Sequence, residues 1–353
     1  MRRINTMLSK IANPDEKVMK LTQQRLDRLT KPQGSLGRLE ELAKQIAGVI
    51  GKEKPELKNK VIFTFASDHG VVDEGVSAYP KEVTAQMVYN FLNEGAGINV
   101  LARYVGARVV VADLGVAEDL KPHPRLIIKK INYGTKNMLR GPAMTKEEAL
   151  NSIAAGMDIF EAELKNGVDI AGTGEMGIGN TTAASAITAC FTKAPVKDIT
   201  GRGTGLDDKQ LLNKINVIEK AISLNKPDPK DPIDVLSKVG GFEIGGLSGI
   251  ILSAASHKIP VVLDGFISGA AALIAYAIEP KVKDYLIPAH CSAESGHKYI
   301  LDYLGLKPLL DLNLRLGEGT GSALGIGLAE AAVKILTEMA TFKSANVSER
   351  KDK

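Results

Sequence analysis

The chain has 353 residues, of which 44% are hydrophobic and 24% are charged, a composition typical of a globular protein with one large or two ordinary domains. Lys and Arg number 45 against 41 Asp and Glu, so the small excess of 4 positive charges gives no support for binding to nucleic acid or to a membrane. The 2 cysteines lack CxxC spacing and the N-terminus lacks the apolar region of a signal peptide, which together predict a cytoplasmic protein without a disulfide framework.

The N-terminal region predicts two helices. Asn13 is a candidate cap, Pro14 suits the first helical position, and Glu16 completes a start that resembles a capping box. Apolar residues then recur at helical spacing over residues 18–29 and again over residues 36–50. The segment 31–38 between them carries possible binding groups, but its spacing favours an ordinary connection between helices.

From residue 60 the pattern becomes α/β. Short apolar runs are typical of strands covered on both faces, and they lie at residues 61–66, 109–112, 126–128, 168–171, 260–263 and 286–288. Helical stretches lie between most of them, including 81–93, 183–190 and 207–224. This alternation predicts an α/β fold with a mainly parallel, Rossmann-like sheet and helices on both faces. The apolar stretch 266–278 is too short to span a bilayer and predicts a buried helix.

The C-terminal stretch 323–342 again predicts a helix. We expect it to pack with the first two helices in a small helical domain made of residues 1–55 and 323–353. Residues 56–322 then form the α/β domain that carries the site. The polar tail, residues 343–353, is expected to fray.

Polar and glycine residues follow every apolar run except 126–128. In an open parallel sheet, ligands bind beyond the carboxyl ends of the strands, so these residues predict a cleft at one edge. They are Asp68, His69 and Gly70, then Asp113, the segment 172–179, Asp264 and Gly265, and finally His290, Cys291 and Ser292.

The densest of these segments, residues 171–182, fits two phosphate-binding patterns in part. Gly172, Gly174 and Gly177 match the dinucleotide fingerprint G-x-G-x-x-G, although its acidic companion would be Asp198, which no strand precedes. Residues 174–181 also match a phosphate loop, except that Asn180 replaces the lysine. Both patterns expose backbone N–H groups at a helix N-terminus, which favours an anion such as a monophosphate. A tight turn without a ligand is the alternative.

A second glycine loop, residues 200–205, could close on the same phosphate. Asp207 and Asp208 follow it and open a helix, so we interpret them as first-turn acids that complement the helix dipole rather than as a metal-binding pair. The five histidines do not predict a metal site. His69 is interpreted as a hydrogen-bonded histidine at the end of a strand.

Glu318 lies between Gly317 and Gly319, so a ligand can approach the backbone on both sides of the carboxylate. An apolar pocket around an accessible carboxylate raises its pKa, which suits a general base. A solvated loop glutamate is the alternative, and the rest of the chain favours the base.

Taken together, these segments resemble one family, the nicotinate-nucleotide–dimethylbenzimidazole phosphoribosyltransferases of cobalamin lower-ligand synthesis. The matching segments occur in the family's order and cover nearly the whole chain. They are residues 31–39, 68–71, 74–84, 174–182, 201–205, 263–266, 292–294 and 315–321.

The resemblance implies that phosphoribose moves from nicotinate mononucleotide to 5,6-dimethylbenzimidazole or a related base, giving α-ribazole 5'-phosphate and nicotinate. It implies a homodimer that needs no cofactor. It also implies that Glu318 takes the proton of the benzimidazole and that Glu175 acts in the nucleotide site. At the phosphate it implies Gly177, Gly203 and Ser292. Around the base it implies Ser77, Gln86, Met176 and Leu316. Further substrate-binding residues that it implies are Arg202, Lys214, Asp264 and Arg315.

Two rival interpretations remain open at this point. The G-x-G-x-x-G match suggests an oxidoreductase that depends on a nicotinamide dinucleotide. A non-catalytic nucleotide-binding relative is the other. The presence of both Glu318 and Glu175 favours the transferase.

Overall fold

The computed structural model describes residues 6–348. Its core is a six-stranded sheet in the order β3-β2-β1-β4-β5-β6, in which every neighbouring pair is parallel. The strands are β1 (Lys60–Ser67), β2 (Arg108–Gly115), β3 (Leu126–Ile128), β4 (Ile170–Met176), β5 (Val261–Leu263) and β6 (Leu286–Pro288). The parallel α/β fold and each predicted strand are therefore confirmed.

The helices, numbered in chain order, are α1 (Glu16–Asp27), α2 (Arg38–Ile50), α3 (Glu82–Leu92), α4 (Gly97–Val105), α5 (Lys146–Glu163), α6 (Asn180–Thr192), α7 (Val196–Ile199), α8 (Asp208–Asn225), α9 (Pro232–Val239), α10 (Phe242–Ser256), α11 (Phe266–Ile278), α12 (Ser295–Leu304), α13 (Thr320–Glu338) and α14 (Phe342–Ala345). Short 3₁₀ turns lie at Gly70–Glu74, Leu164–Asn166 and Pro280–Tyr285.

Helices cover both faces of the sheet, as the continuous apolar runs predict. Strand β1 is buried along its whole length, and its side chains alternate between two apolar clusters. Val61, Phe63 and Phe65 pack into the cluster that contains α5, α10 and α11. Ile62 and Ala66 pack into the cluster formed with α1 to α4 and α13.

The helices from the two ends of the chain pack together. The Arg25 guanidinium in α1 donates to the Leu336 carbonyl oxygen in α13 at 2.5 Å, and the Thr30 backbone N–H donates to the Ala340 oxygen at 3.0 Å. Helix α13 also shares an apolar cluster with the sheet. The division at residues 55/56 and 322/323 stays a prediction.

Two predictions about the chain ends need correction. Asp15 caps α1, with its Oδ1 accepting from the Val18 N–H at 3.0 Å, so Asn13 is not the cap. In the tail predicted to fray, residues 343–345 belong to α14, which is capped by Thr341. Residues 1–5 of the predicted helical domain and residues 349–353 of the tail lie outside the described residues.

Helix α11 is buried from Phe266 to Ala275, as predicted for this apolar stretch. Within residues 6–348, no helix has both the length and the apolar character needed to cross a membrane.

Candidate active site

A cavity of about 680 Å³ opens at the carboxyl ends of the strands. The strand order reverses between β1 and β4, which is the position where open α/β sheets bind ligands. Eight of the predicted site residues line this cavity, and they come from four separate segments of the chain. These residues are Glu175, Met176, Gly177, Gly203, Ser292, Arg315, Leu316 and Glu318.

Hydrogen bonds to both the backbone carbonyl and the side-chain carboxylate hold Glu318 in one conformation. Its backbone lies in the left-handed region at φ 65°, and its carbonyl oxygen accepts from the Thr64 hydroxyl at 2.9 Å. Its carboxylate Oε2 accepts from the Ile98 N–H at 3.0 Å, at the N-terminus of α4. A non-glycine residue at positive φ costs free energy, and the surrounding contacts maintain it here.

The environment of Glu318 raises its pKa. Burial is the largest cause, because Glu318 is only 5% exposed, and the charge of Asp264 acts in the same direction. The backbone N–H groups of Ile98 and Gly97 oppose the shift by stabilising the ionised form. A carboxylate with a raised pKa and a fixed orientation at a cavity wall has the properties of a general base.

Apolar side chains share the cavity with Glu318. A Cβ atom placed on Gly97 would lie 2.9 Å from Leu316 Cδ2 and 3.3 Å from Glu318 Oε2, so the leucine and the carboxylate are neighbours. Tyr79 and Met176 add further apolar lining, together with two side chains of α3, Val83 and Met87. A cavity lined by these side chains and by a carboxylate suits a flat aromatic ring that carries a proton.

Glu175 lies at the end of β4, in surroundings that favour the neutral form of its carboxyl group. Burial raises its pKa to about 8, and the charge of Asp264 contributes to the shift, whereas the Asn180 amide opposes it by donating to Oε2. Gly317 beside it has φ 85°, which side chains rarely adopt, and a Cβ atom there would lie 2.3 Å from Glu175 Oε1. A neutral carboxyl group at this position can donate a hydrogen bond to a substrate oxygen.

Asp264 lies behind the cavity wall and caps α13. Its Oδ1 accepts from the Gly321 N–H at 2.6 Å and its Oδ2 accepts from the Gly319 N–H at 3.1 Å. These bonds fix the first turn of α13 and, with it, Glu318. Burial raises the pKa of Asp264, while His290 and the backbone donors oppose the shift. The contacts of Asp264 are those of a positioning residue, and its predicted contact with substrate stays a prediction.

Four other predicted residues also lie outside the cavity lining. Gln86 is exposed, and α3 lines the cavity through Val83 and Met87 instead. The Arg202 guanidinium turns back on its own loop and donates to the Leu206 oxygen at 2.8 Å. The remaining two are Ser77, which lies beside the lining residue Thr204, and Lys214, which lies behind the lining residue Thr181.

Ser77 contacts Thr204 at the rim of the cavity, where the two hydroxyl oxygens are 3.3 Å apart. Lys214 is fully buried, and its Nζ donates to the Thr181 hydroxyl at 2.8 Å and to the Gly201 carbonyl oxygen at 3.3 Å. Burial lowers the pKa of this lysine to about 8. Both residues therefore support the glycine loop 200–205 from outside the cavity.

Gly172 and Gly174 serve a different purpose from the one predicted. Strand β4 continues to Met176, so Gly172 and Gly174 lie inside the strand. A Cβ atom on Gly174 would lie 2.3 Å from the Glu318 carbonyl oxygen, and one on Gly172 would lie 3.0 Å from the Ser322 Cβ. These glycines admit the start of α13 and bring Glu318 to the sheet. The dinucleotide interpretation is wrong, and its companion Asp198 is exposed in α7.

Other sequence motifs have structural roles. His69 Nε2 lies 2.8 Å from Glu243 Oε1 in a buried hydrogen bond, as predicted for a histidine at the end of a strand. Asp207 caps α8, accepting from the Gln210 N–H at 2.8 Å, which confirms the first-turn interpretation. The segment 31–38 connects α1 and α2 outside the cavity lining. Among the described residues, no group of three His, Cys, Asp or Glu side chains is arranged to hold a metal ion.

Sequence reasoning missed several residues of the site. Val83, Met87, Thr181 and Glu294 line the cavity, and Asn180 fixes Glu175. Glu294 belongs to the matched segment 292–294, so a signal was present in the sequence for it. Val83 likewise belongs to the matched segment 74–84, whereas Met87 lies beyond it and offered no comparable signal, because a buried stripe and a pocket wall share the same periodicity.

Comparison with known proteins agrees with this geometry. A family model described as "Phosphoribosyltransferase" matches residues 11–347. The chain is 58% identical to the nicotinate-nucleotide–dimethylbenzimidazole phosphoribosyltransferase of Geobacter sulfurreducens, with 97% of each chain covered. It is 56% identical to the protein of the same name from Desulforudis audaxviator, with 98% of each chain covered.

A solved structure also matches closely. The crystal structure of CobT from Thermus thermophilus superposes with a TM-score of 0.91 at 44% identity, covering 95% of this chain and 100% of that one. The family model, the relatives and the fold agree over almost the whole length of the chain. The chain therefore belongs to the phosphoribosyltransferase family that includes the nicotinate-nucleotide–dimethylbenzimidazole phosphoribosyltransferases.

Proposed function

We propose that this enzyme transfers phosphoribose from nicotinate mononucleotide to 5,6-dimethylbenzimidazole or a related base. The products are α-ribazole 5'-phosphate and nicotinate, for the assembly of the cobalamin nucleotide loop. The observation that carries the proposal is Glu318, a buried carboxylate of raised pKa that a helix N-terminus orients at the wall of a partly apolar cavity.

The donor needs little activation at its leaving group. The pyridine nitrogen of nicotinate mononucleotide is cationic, so cleavage of its bond to C1′ returns the electron pair to that nitrogen and leaves a neutral ring. A benzimidazole nitrogen forms the new bond to C1′ from the opposite face, which converts a β nucleotide into an α product. The positive charge then passes to the attacking heterocycle.

Glu318 removes that charge. As the first ring nitrogen bonds to C1′, the second ring nitrogen loses its proton to the carboxylate, and the product ring becomes neutral. General bases of this kind typically contribute ~10²–10⁴ in rate.

The acceptor fits the apolar part of the cavity. Tyr79, Val83, Met87 and Leu316 offer surface for the methylated ring next to Glu318. A phosphate requires backbone and side-chain donors, and Gly203, Thr204 and Ser292 belong to the lining of the same cavity. One cavity therefore offers apolar side chains for the acceptor base and hydrogen-bond donors for the phosphate of the nucleotide.

Incubation of the purified protein with nicotinate mononucleotide and a panel of bases, followed by mass spectrometry, tests the proposal. We expect a product with the mass of α-ribazole 5'-phosphate and an equal amount of nicotinate. A protein that releases nicotinate without forming a nucleotide from any benzimidazole, purine or phenol would contradict it.

We further propose that the enzyme works as a homodimer in the cytoplasm. The likeness to the family supports both proposals. Light scattering on the purified protein tests the first, and fractionation of cells that express the full chain tests the second.

A further inference from the structure

Glu294 occupies an unusual position for a glutamate. It is the residue before the first turn of α12, where side chains normally accept from that helix's own N–H groups, but its side chain makes no such bond. Its Oε1 instead crosses to the glycine loop 200–205 and accepts from the Gly203 N–H at 3.0 Å.

The second oxygen of this carboxylate has no hydrogen-bond partner among the described residues, although it is buried. Glu294 as a whole is 6% exposed, and its Oε2 would lie 2.1 Å from a Cβ atom placed on Gly201. A buried carboxylate oxygen without a donor is costly. The contact between Glu294 and Gly203 is therefore one that a better-matched anion can replace.

The surroundings of Gly203 are those of an anion site. The Lys214 Nζ lies 3.2 Å from a Cβ position on Gly203, and the Thr181 hydroxyl lies 3.0 Å from it. The hydroxyl of Ser292 belongs to the same cavity lining. An ammonium group, hydroxyls and a backbone N–H are the donors that a phosphate uses. Glu294 accepts a hydrogen bond from one of these donors, the Gly203 N–H.

We propose that Glu294 acts as an autoinhibitory contact that weakens the binding of the phosphorylated donor, because its carboxylate holds the Gly203 N–H until the donor's phosphate displaces it. This inference rests on the proposed function, in which the donor is a 5'-phosphorylated nucleotide. A phosphate carries enough charge to compete with a carboxylate for the N–H. The 5'-hydroxyl of a nucleoside does not, so nucleosides leave Glu294 in place.

Isothermal titration of nicotinate mononucleotide and of nicotinate riboside into the wild type and Glu294→Gln tests the inference. The glutamine retains the shape but is a weaker acceptor without charge. We expect the mononucleotide to bind about tenfold more tightly to the variant, the lower end of what one hydrogen bond to a charged group contributes. The affinity for the riboside should not change. Equal or weaker binding of the mononucleotide, or equal tightening for both ligands, would overturn the inference.

Two controls complete the experiment. Glu40→Gln neutralises another glutamate that is 6% exposed, lies outside the cavity lining and pairs with Lys31 at 2.8 Å, and it should leave both affinities unchanged. Glu294→Ala removes the carboxylate altogether and should behave as Glu294→Gln does, which covers the case in which the glutamine variant fails to fold.

A crystal structure of the wild type with nicotinate mononucleotide adds a direct readout. The Glu294 Oε1 should have left the Gly203 N–H, and a bond that remains at 3.0 Å beside a bound phosphate would overturn the inference. Turnover of the wild type with a benzimidazole is measured in parallel. Its absence would count against the proposed function, whereas normal turnover with unchanged mononucleotide binding in the variants would count only against the role of Glu294.

Discussion

Replacement of Glu318 by glutamine removes the proposed base while keeping the shape of the side chain. The amide oxygen of the glutamine can still accept from the Ile98 N–H, a bond of 3.0 Å in the wild type. The amide nitrogen then takes the other carboxylate position and presents a donor instead of an acceptor. The proton of the benzimidazole nitrogen is left without a base.

The size of the effect follows from the lost proton transfer. A positioned general base contributes about 10²–10⁴ in rate. That range corresponds to about 2.7–5.4 kcal/mol of activation free energy. The fold should tolerate the change, because burial already disfavours the ionised form of Glu318 and the neutral amide removes that cost.

The assay measures formation of α-ribazole 5'-phosphate from saturating nicotinate mononucleotide and 5,6-dimethylbenzimidazole by mass spectrometry. We expect Glu318→Gln to lose at least about two orders of magnitude in kcat, with a thermal unfolding temperature close to that of the wild type. Glu338→Gln, at the other end of α13, is the matched control and should keep full activity. Turnover near the wild-type level in Glu318→Gln would refute the role of this carboxylate.

Three further predictions follow from the same contacts. The rate kcat/KM should fall as pH decreases through the raised pKa of Glu318, because the base must be ionised; a flat acidic limb in the pH profile would contradict this. Burial raises the pKa of Glu175 to about 8, so between pH 4.5 and about 8 the folded chain keeps a proton that the unfolded chain releases. The free energy of unfolding should therefore fall by about a few kcal/mol as the pH rises through this range. Denaturant unfolding of Glu175→Gln across that range should show a smaller decline, and an unchanged slope would disprove the assignment. Gly174→Ala should destabilise the fold by about 1–3 kcal/mol and lower turnover at least about tenfold, because the new Cβ would lie 2.3 Å from the Glu318 carbonyl oxygen; a fully stable and active variant would show that this close approach is unimportant.

The fold was largely predictable because its strands are buried on both faces. A continuous apolar run such as residues 61–66 identifies a central parallel strand without any tertiary information, and the polar residues that follow it mark the binding edge. The predicted end of β4 was wrong because glycines, which are usually unfavourable within a strand, lie inside this one. Gly172 and Gly174 suggest the end of a strand, yet they continue β4, because the segment 317–322 packs directly against their Cα atoms.

The site was predictable only where a motif carried chemistry of its own. Glu318 between two glycines is such a case, and so is Ser292 in the segment that follows β6. The function of Asp264 could not be derived from its place after β5, because its partners are backbone N–H groups of a helix 55 or more residues away in the chain. The orientation of Gln86 depends on the rotation of α3 about its axis, which the sequence spacing alone did not determine.

The most direct test of the central claim is a crystal structure of the enzyme with nicotinate mononucleotide or its product and a benzimidazole bound together. We predict that a carboxylate oxygen of Glu318 lies about 2.6–3.2 Å from the ring nitrogen that carries the proton, with the other ring nitrogen facing C1′ of the ribose. A benzimidazole bound with both nitrogens far from Glu318, and with only solvent next to that carboxylate, would contradict the account.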